Sequence, residues 1–248
     1  VKDYFTDSGE KTKFVQEVFS SVANKYDIMN DVMTLGMQRL WKRHFLNQID
    51  ISGNVQYLDI ACGSGDIAIN ICKKLKKQNI DPSQCVTCLD QNADMINIAK
   101  SRFIEQNFYR NASQFCVSSA ETMPFENETF NVVTVSFGAR NFSNLDIAMK
   151  EIYRILKPNG KFYCLEFSPK LPSEWLDKIF AMYGKIIPKM GKIITQDERS
   201  YQYLIDSIRN FPSKENFQKI ITKAGFDFSD FHEVGVALGV CNVHIGQK

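Results

Sequence analysis

The sequence contains no apolar run approaching the roughly 18–20 residues that a membrane-spanning helix requires, and no signal peptide is visible near Val1. It has no excess of either charge: 30 Lys and Arg face 28 Asp and Glu, leaving +2. A chain so nearly neutral carries no overall electrostatic footprint for nucleic acid. Seven cysteines, an odd number, point away from a disulfide framework and towards reduced thiols inside a cell. The closest pair, Cys85 and Cys88, lies in a strand-like run. There the odd spacing sends the side chains to opposite faces and leaves no shared metal or redox site. His44, His232 and His244 lack ligand spacing, so no metal is expected. Internal repeats and low-complexity segments are absent as well.

What is present suits one α/β domain. Of 248 residues, 44% are apolar and 23% charged, an ordinary balance for a globule with a substantial core. A polar start is followed by helical patterns up to about Asn47, interrupted at "NKYDIMND" (Asn24 to Asp31). Apolar runs at 55–60, 85–89, 114–117, 131–135 and 161–167 read as strands, most of them separated by helical patterns at 66–77, 93–106 and 144–156. Such alternation predicts a Rossmann-like, mostly parallel sheet with helices on both faces. "LKPNGKF" (Leu156 to Phe162) reads as a turn that ends the third of these helices and launches the fifth strand. A helical insertion at 171–212, rich in aromatics and lysines, breaks the rhythm. A helix at 213–224, stopped by Gly225, and strands near 226–233 and 239–246 complete a seven-stranded sheet. The expected organisation is a single domain: N-terminal helices (1–50), a cofactor-binding core (51–170), a helical cap (171–212) and a closing helix and strands (213–248).

The first strand runs into "LDIACGSGD" (Leu58 to Asp66), two glycines one residue apart followed by a helical pattern. Strand, glycine turn and helix in that order hold a nucleotide-like ligand at the end of a parallel sheet. Gly63, Gly65 and Ala68 even satisfy the dinucleotide spacing, so the loop alone does not separate NAD from other adenosine cofactors. Charge discriminates. Asp59 ends the strand and Asp66 opens the helix, and two carboxylates would repel a diphosphate at a helix N-terminus. They suit a ligand without phosphate that carries ammonium and sulfonium charges, as S-adenosylmethionine does. Asp90, ending the second strand in "CLDQNADM", could hold the ribose hydroxyls of either cofactor.

"VFSSVANKYDIMNDVMTLGMQRLWKR", "LDIACGSGD", "SAETMPFENETFN", "SFGARNFSN", "LKPNGKF" and "DERSYQYLIDSIRNFP" follow one another along the chain. Together they resemble the motifs of the ubiquinone/menaquinone-biosynthesis C-methyltransferases, a family of class I S-adenosylmethionine-dependent methyltransferases. The glycine loop and "LKPNGKF" are shared by many class I methyltransferases, whereas "KYDIMND", "SFGARN" and "SYQYL" are more specific. The resemblance implies that Gly63, Ser64 and Gly65 wrap the methionine portion, that Asp90 holds the ribose and that Ser119 and Ala120 flank the adenine. It places Ser136 on the methyl-donor side. It also implies methylation of a ring carbon of a polyprenylated quinol. The chain departs from the family at Ala139, where Leu is usual, and at Leu238-Gly239, where a Gly-Gly pair is common. The first would enlarge the acceptor pocket, and the second would alter the bend of the closing strand.

A quinol ring carbon becomes nucleophilic when a neighbouring hydroxyl ionises, which costs about 4 kcal/mol at neutral pH for a phenol of pKa about 10. Arg140 and Asn141 directly follow the fourth strand, whose end faces the cofactor crevice in this architecture. Arg140 stays protonated and is a poor base, but as a fixed cation beside the phenolate it could supply about 3 kcal/mol. Asn141 would orient the hydroxyl or a water that takes its proton. By residue type alone the two read equally as a surface arginine and a helix-capping asparagine. Asp27 and Tyr201 are candidate bases or hydrogen-bonding partners from the helices expected to close over the pocket.

Between Trp175 and Lys192, lysines at 178, 185, 189 and 192 share one helical face and Trp175, Ile179, Met182 and Ile186 another. This is either a core-packing helix with a solvated face or a basic amphipathic helix lying on an anionic membrane. The expected substrate is a lipid quinol, a 2-polyprenyl-6-methoxy-1,4-benzoquinol ahead of a demethylnaphthoquinol. The expected setting is the bacterial cytoplasm or mitochondrial matrix, peripheral to the inner membrane. A homodimer and a quinone-biosynthesis complex both stay open. Three rivals are an NAD-dependent oxidoreductase, an amino-group methyltransferase and a catalytically silent scaffold. The first would need a catalytic Tyr/Lys or His arrangement, which is missing. The second tends to end its fourth strand with Asn-Pro-Pro-aromatic, where this chain has "VSFGARN".

Overall fold

The computed structural model describes residues 36–52, 55–111, 114–170, 198–227, 233–236 and 239–248, together with 9, 13–17, 20, 31, 34 and 174. Among them run seven strands: β1 (Tyr57–Ile60), β2 (Val86–Asp90), β3 (Phe115–Val117), β4 (Phe130–Ser136), β5 (Leu156–Phe167), β6 (Glu233–Val236) and β7 (Cys241–Gln247). The helices that position the site are α1 (Met37–Gln48), α2 (Asp66–Lys77), α3 (Ala93–Glu105), α4 (Leu145–Ile155), α5 (Glu198–Asn210) and α6 (Lys214–Lys223).

The strand order is β3-β2-β1-β4-β5-β7-β6. β1 to β5 are parallel, and β7 runs antiparallel between β5 and β6. A dinucleotide-binding sheet places its sixth strand directly beside the fifth; the reversed β7 separates this sheet from that design. Strand order changes direction between β1 and β4, which opens a crevice at their C-terminal ends, the usual ligand position in doubly wound sheets.

Successive strand residues face opposite sides. Leu58, Ile60, Val133 and Val135 join the residues of α4 and α6 in one core cluster. Tyr57, Val132, Tyr163 and Leu165 join those of α1, α2 and α3 in the other. α2 buries Ile67, Ala68, Ile71, Cys72 and Leu75 along one stripe. The Asn92 side chain caps α3 by accepting from Asp94 N and Met95 N, and Asn144 caps α4 by accepting from Ile147 N. The asparagine that caps the helix after β4 is therefore Asn144, not Asn141.

Three expectations need correction. The Pro-Asn-Gly run does not precede β5 but lies within it: Leu156 pairs with Phe130 and Lys161 with Val132, the register shifting between them. Asn159 takes a left-handed φ of 64° in this bulge. The sixth strand, expected near 226–233, is described at Glu233–Val236, and Asp227 forms an isolated bridge to Gln247; residues 228–232 lie outside the described residues. Cys85 and Cys88 are buried in the same core cluster, because Cys85 belongs to the turn before β2, where strand alternation does not apply. All seven cysteines are free thiols.

Candidate active site

An open cleft of about 570 Å³, mouth included, occupies the crevice between β1 and β4, the usual ligand position in a doubly wound sheet. Its floor is made where the two strands end. Ala61 and Phe137 both line it, and both take left-handed φ values, 51° and 55°. Such backbone costs about 1–2 kcal/mol for a residue with a Cβ and tends to collect at ligand sites. Between them Gly138 has no room for a side chain: a Cβ there would lie 2.5 Å from the Ala61 Cβ.

Asp90 is the acid of this cleft. Its Oδ2 accepts from Gly63 N and its Oδ1 from Asn92 N, both at 2.9 Å. Burial raises its pKa, and these two amides pull it back down. Each oxygen keeps lone-pair capacity, so a pair of ribose hydroxyls could be held without displacing the loop. Gly63 and Ala120 also line the cleft, as the sequence predicts. The N-terminal segment covers it through Val15 and Gln16. It is tied to the β2–α3 turn by Asn92 Nδ2, which donates to Gln16 O at 3.1 Å and Ser20 Oγ at 3.0 Å.

The remaining loop residues work behind the ligand surface. Arg102 Nη1 donates to Ser64 O at 2.8 Å and to Ser64 Oγ at 2.7 Å, occupying both oxygens of that residue. Gly65 is the left-handed residue before α2, and a Cβ there would press on Ala99 of α3 at 3.2 Å. The acids flanking the glycines do not present bare charge to the cleft, as the cofactor argument assumed. Asp66 is paired with Lys42 at 2.8 Å and Arg102 at 2.7 Å. Asp59 is buried under the loop, accepts from Thr134 Oγ1 at 2.7 Å, and is pushed up to about 7 by loss of solvation. The distant cations Lys42 and Arg102 carry no local signal that would reveal this.

The two serines expected at the cofactor sit in different surroundings. Ser119 Oγ bonds Thr122 Oγ1 at 3.0 Å, and it is Ser118 that lines the cleft, its amide held by Asp90 O at 3.1 Å. Ser136 Oγ is buried at the end of β4 with no hydrogen-bond partner among the described residues. Such an atom is normally satisfied by a ligand or water. The free capacity of Asp90 and the side-chain-free approach at Gly138 fit the cleft to an adenosine ligand with a polar tail.

Beyond the end of β4, Asn141 lines the cleft and accepts from Tyr203 Oη at 3.0 Å. Tyr203 is on α5, its ring edge-to-face with Phe14 at 5.5 Å, so both covering elements meet at this phenol. Burial pushes its pKa up to about 12, with Arg140 lowering and Glu166 raising it. At neutral pH it is a donor, never a base. Asn141 Nδ2 makes no hydrogen bond among the described residues.

Arg140 does not line the cleft as expected. It is buried beneath, its Nη1 paired with Glu166 Oε1 at 2.9 Å and donating to Phe137 O. Glu166 Oε2 accepts from Arg140 N at 3.2 Å, and Oε1 also accepts from Phe167 N at 2.9 Å. The cation is thus neutralised by a carboxylate at the end of the neighbouring strand. Ala139 is likewise fully buried among α4-side core residues, so its small size bears on packing and not on an acceptor pocket. Asp27, the side chain of Tyr201, His232, Leu238 and the segment from Trp175 to Lys192 lie outside the described residues.

The sheet with its reversed β7, the glycine loop and the acid closing β2 define a class I methyltransferase. A crystal structure of an S-adenosylmethionine-dependent methyltransferase from Thermotoga maritima, described as a possible histamine N-methyltransferase, shares the fold with a TM-score of 0.61. It is 18% identical, over 94% of this chain and 99% of that one. The "Ubiquinone/menaquinone biosynthesis C-methyltransferase UbiE" of Rickettsia bellii (strain OSU 85-389) is 42% identical over 243 residues, 97% of this chain and 95% of that protein. Its namesake from Hydrogenovibrio crunogenus (strain DSM 25203 / XCL-2) is 40% identical over 240 residues, 96% and 91% of the two chains. The model of the ubiE/COQ5 methyltransferase family matches residues 6–248, and the chain belongs to that family. Its methyl donor is S-adenosylmethionine. Among the described residues no helix is long and apolar enough to cross a membrane.

Proposed function

We propose that the protein methylates a ring carbon of a polyprenylated 6-methoxy-benzoquinol, with a demethylnaphthoquinol as the alternative head group. The observation that carries the reading is the Asn141 amide, which faces the cofactor cleft with its oxygen committed to Tyr203 and its Nδ2 uncommitted. Bound in the cleft, S-adenosylmethionine supplies an electrophilic methyl group. Asp90 and Gly63 hold its ribose and methionine portions. Asn141 Nδ2 donates to the acceptor hydroxyl oxygen as its proton passes to a water, a preorganised contact of the kind that contributes about 3 kcal/mol to stabilising an oxyanion; the ring carbon takes the methyl, the demethylated thioether leaves, and the proton displaced from that carbon passes to water. Tyr203 keeps the amide from rotating, and the Arg140–Glu166 pair holds the turn that carries it. The N-terminal segment and α5 close over the reacting atoms and limit water.

The relatives' names join ubiquinone and menaquinone, which supports both head groups. Their bacterial origin and the lipid nature of such quinols support a bacterial cytoplasmic enzyme working at the inner membrane. The test is transfer of labelled methyl from S-adenosylmethionine to short-tailed, chemically reduced 6-methoxy-benzoquinol and demethylnaphthoquinol, with Asn141→Ala alongside. Label in ring carbon, lost in the variant, is expected. Binding of S-adenosylmethionine without transfer to either quinol would favour a catalytically silent scaffold instead.

A further inference from the structure

A second groove, unconnected with methyl transfer, opens on the helical face of the sheet between α1 and α2. It encloses about 1950 Å³, mouth included, and eight of its lining residues are Lys or Arg against two Asp. The whole chain carries only +2, so positive charge is gathered here and the other residues together are net acidic. The two helices run side by side in the same direction: Lys42 meets Asp66 at the start of α2, and Lys74 near its end donates to Leu46 O. Those cations are spent on structure. Arg43, Lys73 and Lys77 are not: they are exposed and have no partner among the described residues.

Apolar side chains accompany the charge. Met37 and Leu40 are 38% and 58% exposed, and with Arg43 they follow at three-residue intervals along one strip of α1. Folding gains nothing from leaving Leu40 in water. Cations beside protruding apolar groups match a bilayer, whose phosphates take the charge and whose acyl boundary takes the side chains. Nucleic acid would use the cations but not Leu40. The groove includes Asp66, the first residue after the glycine loop, and Gly63 of that loop lines the cofactor cleft.

We propose that the α1–α2 face is a docking surface for a bilayer containing anionic phospholipid, and that it presents the cleft to a membrane-dissolved substrate. The second half of that statement rests on the quinol reading; the first does not. The experiment is flotation of the purified protein with vesicles of phosphatidylcholine alone or mixed equally with phosphatidylglycerol, at low and high salt. Variants are Arg43→Gln/Lys73→Gln/Lys77→Gln and Leu40→Ser, none of which touches the cleft.

Wild type should float only with the anionic vesicles and be released by salt. With each cation near an anionic surface contributing about a fivefold gain, the triple variant should bind roughly 100-fold more weakly. Leu40→Ser should bind more weakly even at low salt. Methyl transfer to a short-tailed water-soluble quinol should be unchanged in both variants, while transfer to vesicle-embedded quinol falls. Equal binding to neutral and anionic vesicles, unchanged flotation of both variants, or binding of an RNA duplex in place of vesicles would overturn the proposal. Flotation reads the surface even if neither quinol is methylated, so failure of the quinol reading is seen separately.

Discussion

Arg140 and Glu166 face each other at 2.9 Å with side chains 5% and 1% exposed, an ion pair sealed beneath the reacting end of the cleft. Removing one partner from such a pair typically costs about 3–5 kcal/mol, whereas replacing both by apolar residues is often neutral. Glu166→Gln should therefore lower stability by several kcal/mol, and Arg140→Met/Glu166→Leu should recover only part of it, because the amides of Arg140 and Phe167 lose their acceptor. Turnover should not recover, because the double variant loses the bonds from Glu166 to Arg140 N and Phe167 N that anchor the turn carrying Asn141. Denaturant unfolding and kcat on the same preparations test this. A double variant with wild-type turnover would sink it.

Tyr203→Phe removes one hydrogen bond and keeps the ring against Phe14. A neutral bond of this kind contributes about 1 kcal/mol, so kcat should drop about 5- to 10-fold. Affinity for S-adenosylmethionine, measured by calorimetry, should stay the same, since Tyr203 does not line the cofactor part of the cleft. A change in that affinity with kcat intact would place the tyrosine elsewhere in the mechanism.

Gly138→Ala should separate the ends of β1 and β4, because its Cβ would fall 2.5 Å from that of Ala61. We expect at least 10-fold weaker binding of S-adenosylmethionine, about 1.4 kcal/mol. Ala61→Gly removes the opposing carbon and relieves a left-handed φ of 51°, so the double variant should bind normally. Absence of rescue would mean that the clash is not the cause.

Asp59 gives a pH signature. Unfolded, it titrates near 3.8; folded, burial holds it near 7. Between these values folding takes up a proton, so its contribution is fully present below about 3.8 and is lost as pH rises towards 7. Asp59→Asn escapes this loss. Its stability advantage should grow from pH 4 to 7, by roughly 3–4 kcal/mol at most, and be constant above. His244, held near 4 by burial, acts in the opposite sense: its contribution is lost as pH falls from 6.5 towards 4. Comparing the variant with wild type at each pH isolates Asp59. A gap that shrinks with pH would refute the assignment.

Alternation of strands and helices made the sheet legible in the sequence, because its central strands are buried on both faces and read as continuous apolar runs. The bulge at Leu156–Gly160 was not legible: Pro-Asn-Gly has the same turn chemistry whether or not a neighbouring strand pairs across it. In the site, Gly63, Asp90, Ala120 and Asn141 line the cleft; the glycine turn and strand ends mark Gly63, Asp90 and Asn141 locally, whereas Ala120 came only from the family resemblance. Arg140 was misjudged because its partner Glu166 is a strand away, and the acids of the glycine loop because Lys42 and Arg102 come from other helices. Of the two tyrosines in "SYQYL", Tyr203 donates to Asn141, a contact that packing sets and that no local signal in the motif marks.

β7 pairs with β5 along its whole length, Lys161 to Phe167 against Gln247 to Cys241. During synthesis, therefore, β5 emerges long before its neighbour and waits as an open, apolar edge while residues 168–240 are made. Until Cys241–Gln247 arrive, that edge can pair with any other extended chain. A ribosome stalled late in the message would leave the core helices in place and this edge bare, so incomplete copies of the enzyme are expected to be clients of chaperones rather than slow catalysts.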